Sequence, residues 1–165
     1  MRISGMVSVF ALTLLVCGNV FAVETDTDKV RAAADEFLSS VPKTGYLLSA
    51  DELTERMKSG KKDFVIVDVR EAEEKYKAGH IPGSIFIKFT DIAKPENLAK
   101  LDKAKDIIVY CNTGHEENKA LAALRMLGYK AFGLKFGYMS WKKEKPTEMT
   151  LKAIENAEAK NYPVE

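Results

Sequence analysis

Cysteine, histidine and unbalanced charge are all scarce in this sequence. Its 165 residues include two cysteines and two histidines, and 25 basic residues nearly balance 24 acidic ones. A net charge of +1 provides no basic surface of the kind that nucleic acids require, so nucleic acid is excluded as a partner. Neither histidine has a second ligand at zinc spacing, and no pattern implies a metal or an organic cofactor.

The chain also lacks a hydrophobic run long enough for a comfortable membrane span. The apolar stretch at residues 7–16 is too short, so we expect no transmembrane segment in the mature chain. This stretch follows the basic residue Arg2 and precedes Val20-Phe21-Ala22. The pattern predicts a signal peptide at residues 1–22, cleaved after Ala22, and export to the periplasm.

Cleavage at this point would leave a single thiol. It would remove Cys17 and keep Cys111, so no internal disulfide could form. In an oxidising compartment, an unpaired cysteine indicates a reactive thiol or an intermolecular pairing. Lipid anchoring through Cys17 is the alternative, because residues 14–17 resemble a lipobox, although Val16 is a poor residue directly before a lipid-modified cysteine.

What the sequence does contain is an alternation of short apolar runs with segments of helical periodicity. The runs predict strands at residues 46–48, 64–67, 85–87, 107–110 and 131–134. The intervening segments predict helices at residues 50–60, after the Ser49 cap, and at 71–78 and 96–101, and a further helix between the fourth and fifth strands. Strands separated by helices favour parallel crossovers and an α/β fold.

Two polar segments flank this predicted domain, which spans residues 46–145. Residues 23–45 read as a helical extension that docks through apolar positions, although a partly disordered linker is the alternative. The apolar positions of the extension are Val30, Ala33, Ala34, Phe37 and Leu38. Residues 146–165 read as a solvated C-terminal helical tail, to which we assign no function.

The most informative stretch is the one in which the fourth strand ends at Cys111 and a helix begins a few residues later. Ligand sites in open α/β sheets lie at this end of the strands. Unpaired amides at a helix N-terminus favour a thiolate and can hold an anion. Many isolated cysteines are simply small buried hydrophobes, but the glycine-containing loop after Cys111 favours a chemical role.

Four motifs occur in a recognisable order. They are Asp68-Val69-Arg70-Glu71, Gly79-His80-Ile81-Pro82-Gly83-Ser84, the loop opened by Cys111, and Leu134-Lys135-Phe136-Gly137 followed by Trp141. Together they resemble the rhodanese (sulfurtransferase) family over roughly residues 46–143. The resemblance implies a parallel sheet flanked by helices on both faces, and a cysteine that accepts a sulfane sulfur as a persulfide. The implied partners are a small sulfur-containing donor and a thiol, cyanide-like or protein acceptor.

The predicted site has a nucleophile, an anion cradle and a supporting shell. Cys111 is the nucleophile, and the backbone of the following loop would stabilise the sulfur anion. The cradle residues are Asn112, Thr113, Gly114, His115 and Glu116. Asp68 and Arg70 are expected to form a structural ion pair that supports the pocket. His80 is expected to fix its turn by hydrogen bonds rather than to bind a metal.

The cysteine loop departs from the family pattern at its end. Many members place a cationic or hydroxyl residue there, whereas this chain has His115, Glu116 and Glu117. Carboxylates near Cys111 would raise its pKa and repel a dianionic donor such as thiosulfate. We favour another interpretation of the acids, in which Thr113 and Glu116 form a capping box and both glutamates suit the helix dipole.

Three functions follow as hypotheses. The first is an exported single-domain sulfurtransferase that uses Cys111. The second is a non-catalytic sulfur carrier or protein-binding module with the same fold. The third, a cysteine phosphatase or arsenate reductase of related fold, is disfavoured because such sites need an arginine late in the loop to clamp an oxyanion.

Overall fold

The computed structural model describes residues 25–142, 148–161 and 163. The predicted signal peptide and Cys17 lie outside these residues, as does the predicted boundary near residue 146. Within the described ranges, no helix combines the length and the apolarity that a membrane crossing demands.

Five short strands alternate with helices along the chain. In order, the elements are α1 (Asp26–Ser39), β1 (Leu47–Leu48), α2 (Ala50–Lys58), β2 (Phe64–Asp68), α3 (Glu73–Ala78), β3 (Ile85–Phe86), a 3-10 helix (Phe89–Asp91), α4 (Pro95–Leu98), β4 (Asp106–Tyr110), α5 (His115–Met126), β5 (Lys130–Leu134), α6 (Tyr138–Trp141) and α7 (Glu148–Lys160). Every predicted strand is present, with each differing boundary displaced by one residue. The helix predicted at residues 96–101 ends at Leu98, because the chain continues to Leu101 through tight turns.

All five strands are parallel and lie in the order β1-β5-β4-β2-β3, which confirms the predicted α/β fold. The central strand β4 pairs with β2 on one side and with β5 on the other. The register sets Asp68 opposite Tyr110, so the ends of β2 and β4 are adjacent. Parallel strands therefore bring Arg70 and Cys111 to the same edge of the sheet.

Helices cover both faces of the sheet because side chains alternate along each strand. On one face, Val67 and Val109 pack in a cluster with Leu121 of α5. On the opposite face, Ile108 packs in a second cluster with Leu53 of α2. Both faces of the central strands are buried, which explains their continuous apolar sequence.

The N-terminal extension forms a helix and contacts the domain along a narrow stripe. Ala33, Ala34 and Phe37 are half-buried, and the Phe37 ring stacks on Tyr46 with the centroids 6.1 Å apart. The predicted packing of Val30 and Leu38 is wrong, because both side chains are about two-thirds exposed. Leu38 is rotated by roughly 100° from Phe37 about the helix axis, so it points away from this stripe.

Two helix caps show how local sequence sets helix starts. Ser49 and Glu52 form the reciprocal capping box at the start of α2, as their spacing predicts. Thr25 and Asp28 form a second capping box at the start of α1. The C-terminal tail is helical in α7, where Leu151 and Ile154 are exposed.

Candidate active site

Cys111 is the first residue after β4, and α5 begins four residues later. Its thiol is free, and the residue has no exposed surface. The side chain belongs to the cluster on the α5 face of the sheet. The sulfur is therefore at the predicted strand end, and it is covered by the surrounding residues.

A main-chain amide points at this sulfur. The Gly114 N–H donates a hydrogen bond to Cys111 Sγ over 3.1 Å. Gly114 has a φ of 102°, a left-handed conformation that glycine adopts without strain, and it is the N-cap of α5. Hydrogen bonds from the backbone of Thr113 and Gly114 lower the pKa of Cys111. Two of the predicted cradle residues thus stabilise a thiolate.

The other side of the cysteine loop is held by α6. The Tyr138 N–H donates to the Cys111 carbonyl over 2.7 Å, and the Met139 N–H donates to the Asn112 carbonyl over 3.0 Å. At Gly137, a Cβ atom would lie 2.6 Å from the Cys111 carbonyl oxygen. Only glycine can occupy this position without moving the loop, which accounts for Gly137 in the fourth motif.

The predicted capping box at the start of α5 is wrong. Gly114 takes the N-cap position and makes no side-chain cap bond. The Thr113 hydroxyl lies 2.8 Å from Nδ1 of the exposed His115 instead of capping through Glu116. The left-handed backbone that aims the Gly114 amide at sulfur displaces the helix start by one residue, so Thr113 cannot act as the cap.

Glu117 is the residue whose position the sequence interpretation missed. Its side chain is 1% exposed, and Oε2 accepts a 2.8 Å hydrogen bond from the Cys111 N–H. Among the described residues, Oε1 has no hydrogen-bond partner. A signal was present, because Glu117 precedes the buried Leu121 by four residues and Leu124 by seven, so all three occupy the helix stripe that faces the sheet.

Burial and mutual repulsion determine the charge of this pair. Burial raises the pKa of the Cys111 thiol, and the negative charge of Glu117 raises it further, against the effect of the loop amides. Burial also raises the pKa of Glu117, to about 8. At neutral pH both groups therefore hold their protons, and Glu117 has the effect on Cys111 that the sequence predicted for a nearby carboxylate.

At the end of the neighbouring strand, Asp68 and Arg70 are buried and paired with each other. Arg70 Nη2 donates to Asp68 Oδ2 and to the Gly79 carbonyl, both over 2.6 Å. The Tyr110 hydroxyl donates to Asp68 Oδ2 over 2.8 Å and accepts the Ile81 N–H over 3.1 Å. This network joins β2, β4 and the turn after α3. Its contacts support a structural role.

His80 lies in that turn and contacts α3. Its ring stacks on Tyr76 with the centroids 3.9 Å apart, and Nδ1 donates to the Tyr76 carbonyl over 2.9 Å. The turn itself is held by the hydrogen bond from the Ile81 N–H to the Tyr110 hydroxyl. His80 therefore does hydrogen-bond locally, but its bond reaches back to the preceding helix.

A cleft of about 310 Å³ borders the cysteine loop at Asn112. Its lining is cationic, and it consists of Arg70, Lys75, Ala78, Gly79, Asn112, Tyr138 and Lys142. Arg70 lies over the Tyr138 ring, 4.5 Å from the centroid. Cys111 is not among the lining residues of this cleft.

Comparisons with known proteins identify the domain. Residues 49–144 match the family model described as the rhodanese-like domain. Over 108 residues, the chain is 32% identical to the "Probable adenylyltransferase/sulfurtransferase MoeZ" of Mycobacterium tuberculosis, an alignment that covers 65% of this chain and 27% of that relative. The chain thus spans about a quarter of the length of MoeZ.

A shorter relative and a solved structure match more of their own length. The protein named "Sulfurtransferase" from Allochromatium vinosum is 26% identical over 95 residues, which cover 57% of this chain and 85% of the relative. A rhodanese-like domain protein from Staphylococcus aureus is 28% identical in structural alignment, with a TM-score of 0.53 and coverage of 58% and 90%. Together these matches support a sulfurtransferase-type function.

Proposed function

This chain belongs to the rhodanese-like domain family, and we propose that it is an exported sulfurtransferase that carries sulfane sulfur as a persulfide on Cys111. The donor is a small sulfur-containing molecule, and the acceptor is a thiol, a cyanide-like nucleophile or a sulfur-accepting protein. The observation that carries the proposal is the Gly114 N–H aimed at Cys111 Sγ at the N-terminus of α5.

The geometry suits both halves of a persulfide cycle. A thiolate must first attack the donor's sulfane sulfur, and the loop amides of Thr113 and Gly114 favour that thiolate. The same kind of cradle stabilises negative charge on a bound persulfide, because main-chain donors at a helix start attract anions. The α6 contacts to the Cys111 and Asn112 carbonyls turn these oxygens away from the sulfur anion.

Thiosulfate is the donor that this site disfavours. The Glu117 carboxyl lies directly against the Cys111 amide, and once it ionises, near pH 8, its negative charge opposes the approach of a dianion. Persulfide donors with a smaller charge are less affected. We therefore propose a low activity with thiosulfate compared with such donors.

The decisive experiment is intact-mass analysis of the protein after exposure to thiosulfate, a polysulfide and glutathione persulfide. A gain of one sulfur atom on Cys111 with at least one donor is the expected result. The Cys111→Ser variant should gain none and remain folded, and in the uncleaved chain Cys17→Ser is the matched control that should gain sulfur normally. Equal sulfur loading of Cys111→Ser and the original chain would contradict the proposal.

Export is tested separately by expressing the full chain and determining the first residue of the periplasmic protein. Cleavage after Ala22 predicts Val23 as that residue. A lipid-modified Cys17 at the N-terminus would support membrane anchoring instead, and retention of the uncleaved chain inside the cell would contradict export.

A non-catalytic carrier or binding module is the second candidate function. The specific observation in its favour is the complete burial of Cys111, which slows the approach of small donors and acceptors. Turnover separates the two functions. Repeated transfer to cyanide or to a thiol identifies an enzyme, whereas single loading without turnover identifies a carrier.

A further inference from the structure

The Glu117 carboxyl is more than a structural acceptor for the cysteine loop. One oxygen suffices to bind the Cys111 N–H, and Oε2 does so. Oε1 is buried without a hydrogen-bond partner among the described residues, which is a costly arrangement for a polar atom. A buried, unsatisfied acid beside the only described cysteine requires an explanation beyond packing.

The carboxyl group lies beside the Cys111 residue that carries the sulfur. The N–H that donates to Glu117 and the sulfur both belong to Cys111, where they are joined through Cα and Cβ. Interaction with the Cys111 side chain also acts to lower the pKa of Glu117. On the other side, a Cβ at Gly114 would lie 3.7 Å from Oε1, and the Gly114 amide is itself bonded to Sγ.

Among the residues that the structure describes, no cationic group is a named cause of the pKa shifts of this pair. Strands β1 and β5 contribute Leu47 and Gly133, and a Cβ at Gly133 would lie 2.9 Å from the Leu47 side chain and 3.4 Å from Glu117 Oε1. From α6, only the Tyr138 amide reaches Cys111. The charged neighbour that acts on Glu117 is Glu116, which is also acidic. His115 is exposed and contacts Thr113.

We propose that Cys111 and Glu117 form an acid pair in which Glu117 accepts the thiol proton when Cys111 attacks a sulfane sulfur. The proposal rests on the function proposed above and names a second group that acts at the same site. In the singly ionised pair, one proton is shared between the carboxyl and the sulfur, so the two groups titrate together rather than independently.

The reaction balances with this assignment. The step starts from the singly ionised pair, which forms as the pH approaches 8. Cys111 Sγ then supplies the electron pair of the new S–S bond, and the shared proton moves to the Glu117 carboxylate. The donor's S–S bond breaks, and its electron pair leaves on the donor's remaining sulfur, which is reduced as Cys111 is oxidised. When an acceptor thiolate attacks the outer sulfur, Cys111 leaves as a thiolate and takes the proton back from Glu117.

The direct test is the pH titration of the Cys111 thiolate, followed by ultraviolet absorbance as the difference between the protein and its Cys111→Ser variant. We expect two steps in the original protein. Glu117→Gln should give one step that is complete at lower pH, because the neighbouring negative charge is gone. Glu116→Gln removes an equal charge from the same turn and should retain two steps. Superimposable curves for Glu117→Gln and the original protein would overturn the proposal.

A second measurement guards against a Glu117→Gln variant that does not fold. The infrared carbonyl band of a protonated carboxyl should be present in the original protein at neutral pH and should disappear in two steps as the pH rises. In Cys111→Ser, which has no titrating thiol, the band should disappear in one step. Identical band titrations in the two proteins would contradict the proposal that Cys111 and Glu117 share a proton.

Donor selectivity provides the functional readout. Above pH 8, where Glu117 of the original protein is ionised, Glu117→Gln should increase the rate of sulfur loading from thiosulfate relative to glutathione persulfide at least about tenfold, because a charge close to the sulfur is removed. An unchanged ratio would contradict the role of Glu117. The titrations need no sulfur donor, so they distinguish a failure of this inference from a failure of sulfur transfer itself.

Discussion

Two buried pairs of ionisable groups lie at the ends of adjacent strands, and they differ in how fully their polar atoms are bonded. At the end of β2, Asp68 and Arg70 have opposite charges. Asp68 also accepts a hydrogen bond from the Tyr110 hydroxyl, and Arg70 also donates one to the Gly79 carbonyl. Beyond β4, Cys111 and Glu117 are both acids, and Glu117 Oε1 has no partner among the described residues.

The difference separates a structural pair from a reactive one. A buried charge with a fully bonded counterion has little tendency to change its protonation, so the Asp68–Arg70 pair holds the edge of the sheet in place. Two buried acids next to each other resist ionisation, so the pair keeps its protons at neutral pH and first releases one near pH 8. The same end of one sheet thus supplies both rigidity and reactivity.

The largest expected effect is the pH dependence of stability that Glu117 causes. Unfolded Glu117 releases its proton near pH 4.5, whereas the folded protein retains it up to about pH 8. The folded state therefore binds more protons between these values, and stability must fall as the pH rises through this window. The Glu117 contribution amounts to at most about 5 kcal/mol. Urea unfolding at a series of pH values measures it.

Glu117→Gln is the variant that isolates this contribution. Its stability relative to the original protein should improve steadily between pH 5 and pH 8 because Gln carries no titrating proton. Glu96→Gln, in the exposed start of α4, serves as a control and should leave the slope unchanged. Parallel pH curves for Glu117→Gln and the original protein would show that Glu117 ionises normally.

Breaking the structural pair should have the next largest effect. Arg70→Met leaves Asp68 buried without its counterion, and we expect a loss of about 3–5 kcal/mol in the free energy of unfolding. Chemical denaturation at neutral pH measures this loss. Glu73→Gln breaks the exposed Lys77–Glu73 pair and should change stability little. A small effect of Arg70→Met would remove the contrast between the two buried pairs.

Disturbing the loop that holds the reactive pair should cost somewhat less. Gly137→Ala places a Cβ against the Cys111 carbonyl at a φ of 59°, so we expect a loss of about 2–3 kcal/mol. Thermal unfolding measures this loss. Gly60 has a φ of 71° and nothing within 4 Å of its Cβ position, so Gly60→Ala should report the backbone strain alone. Equal losses would mean that the close approach at Gly137 has no consequence.

The smallest expected effect concerns the hydrogen bonds that surround the Asp68–Arg70 pair. Tyr110→Phe removes the hydroxyl that bonds Asp68 and Ile81 but leaves the Asp68–Arg70 ion pair intact. We expect a loss of about 1–2 kcal/mol in chemical denaturation. Tyr129→Phe removes a hydroxyl with only a 3.4 Å bond to Leu98 and should cost less. The reverse order of the two variants would contradict the importance of the buried network.

Much of the fold could be predicted from the sequence because local pattern and tertiary structure agree. Apolar runs such as Phe64–Val67 are strands buried on both faces, and Ser49 with Glu52 caps α2 as spacing alone suggests. The family resemblance rested on motifs that the structure gathers at one edge of the sheet. These features depend on neighbours in sequence, so they can be recognised without coordinates.

The candidate site was predicted less completely because its groups meet across the fold. Thr113 and Glu116 have the spacing of a capping box, but the backbone of Gly114 turns toward sulfur and moves the helix start. The buried role of Tyr110 depends on the distant turn around Ile81. Competition between local and tertiary hydrogen bonds is not visible in a linear pattern.

The sequence by itself determined the alternation of strands and helices, the family, and the location of Cys111 between a strand and a helix. These properties follow from periodicity and from residue types at short spacing. Only the tertiary structure decided that Glu117 is buried against Cys111 while Glu116 is not. The reason is physical: a carboxyl changes its pKa through loss of water and through neighbouring charge, and both depend on what packs around it.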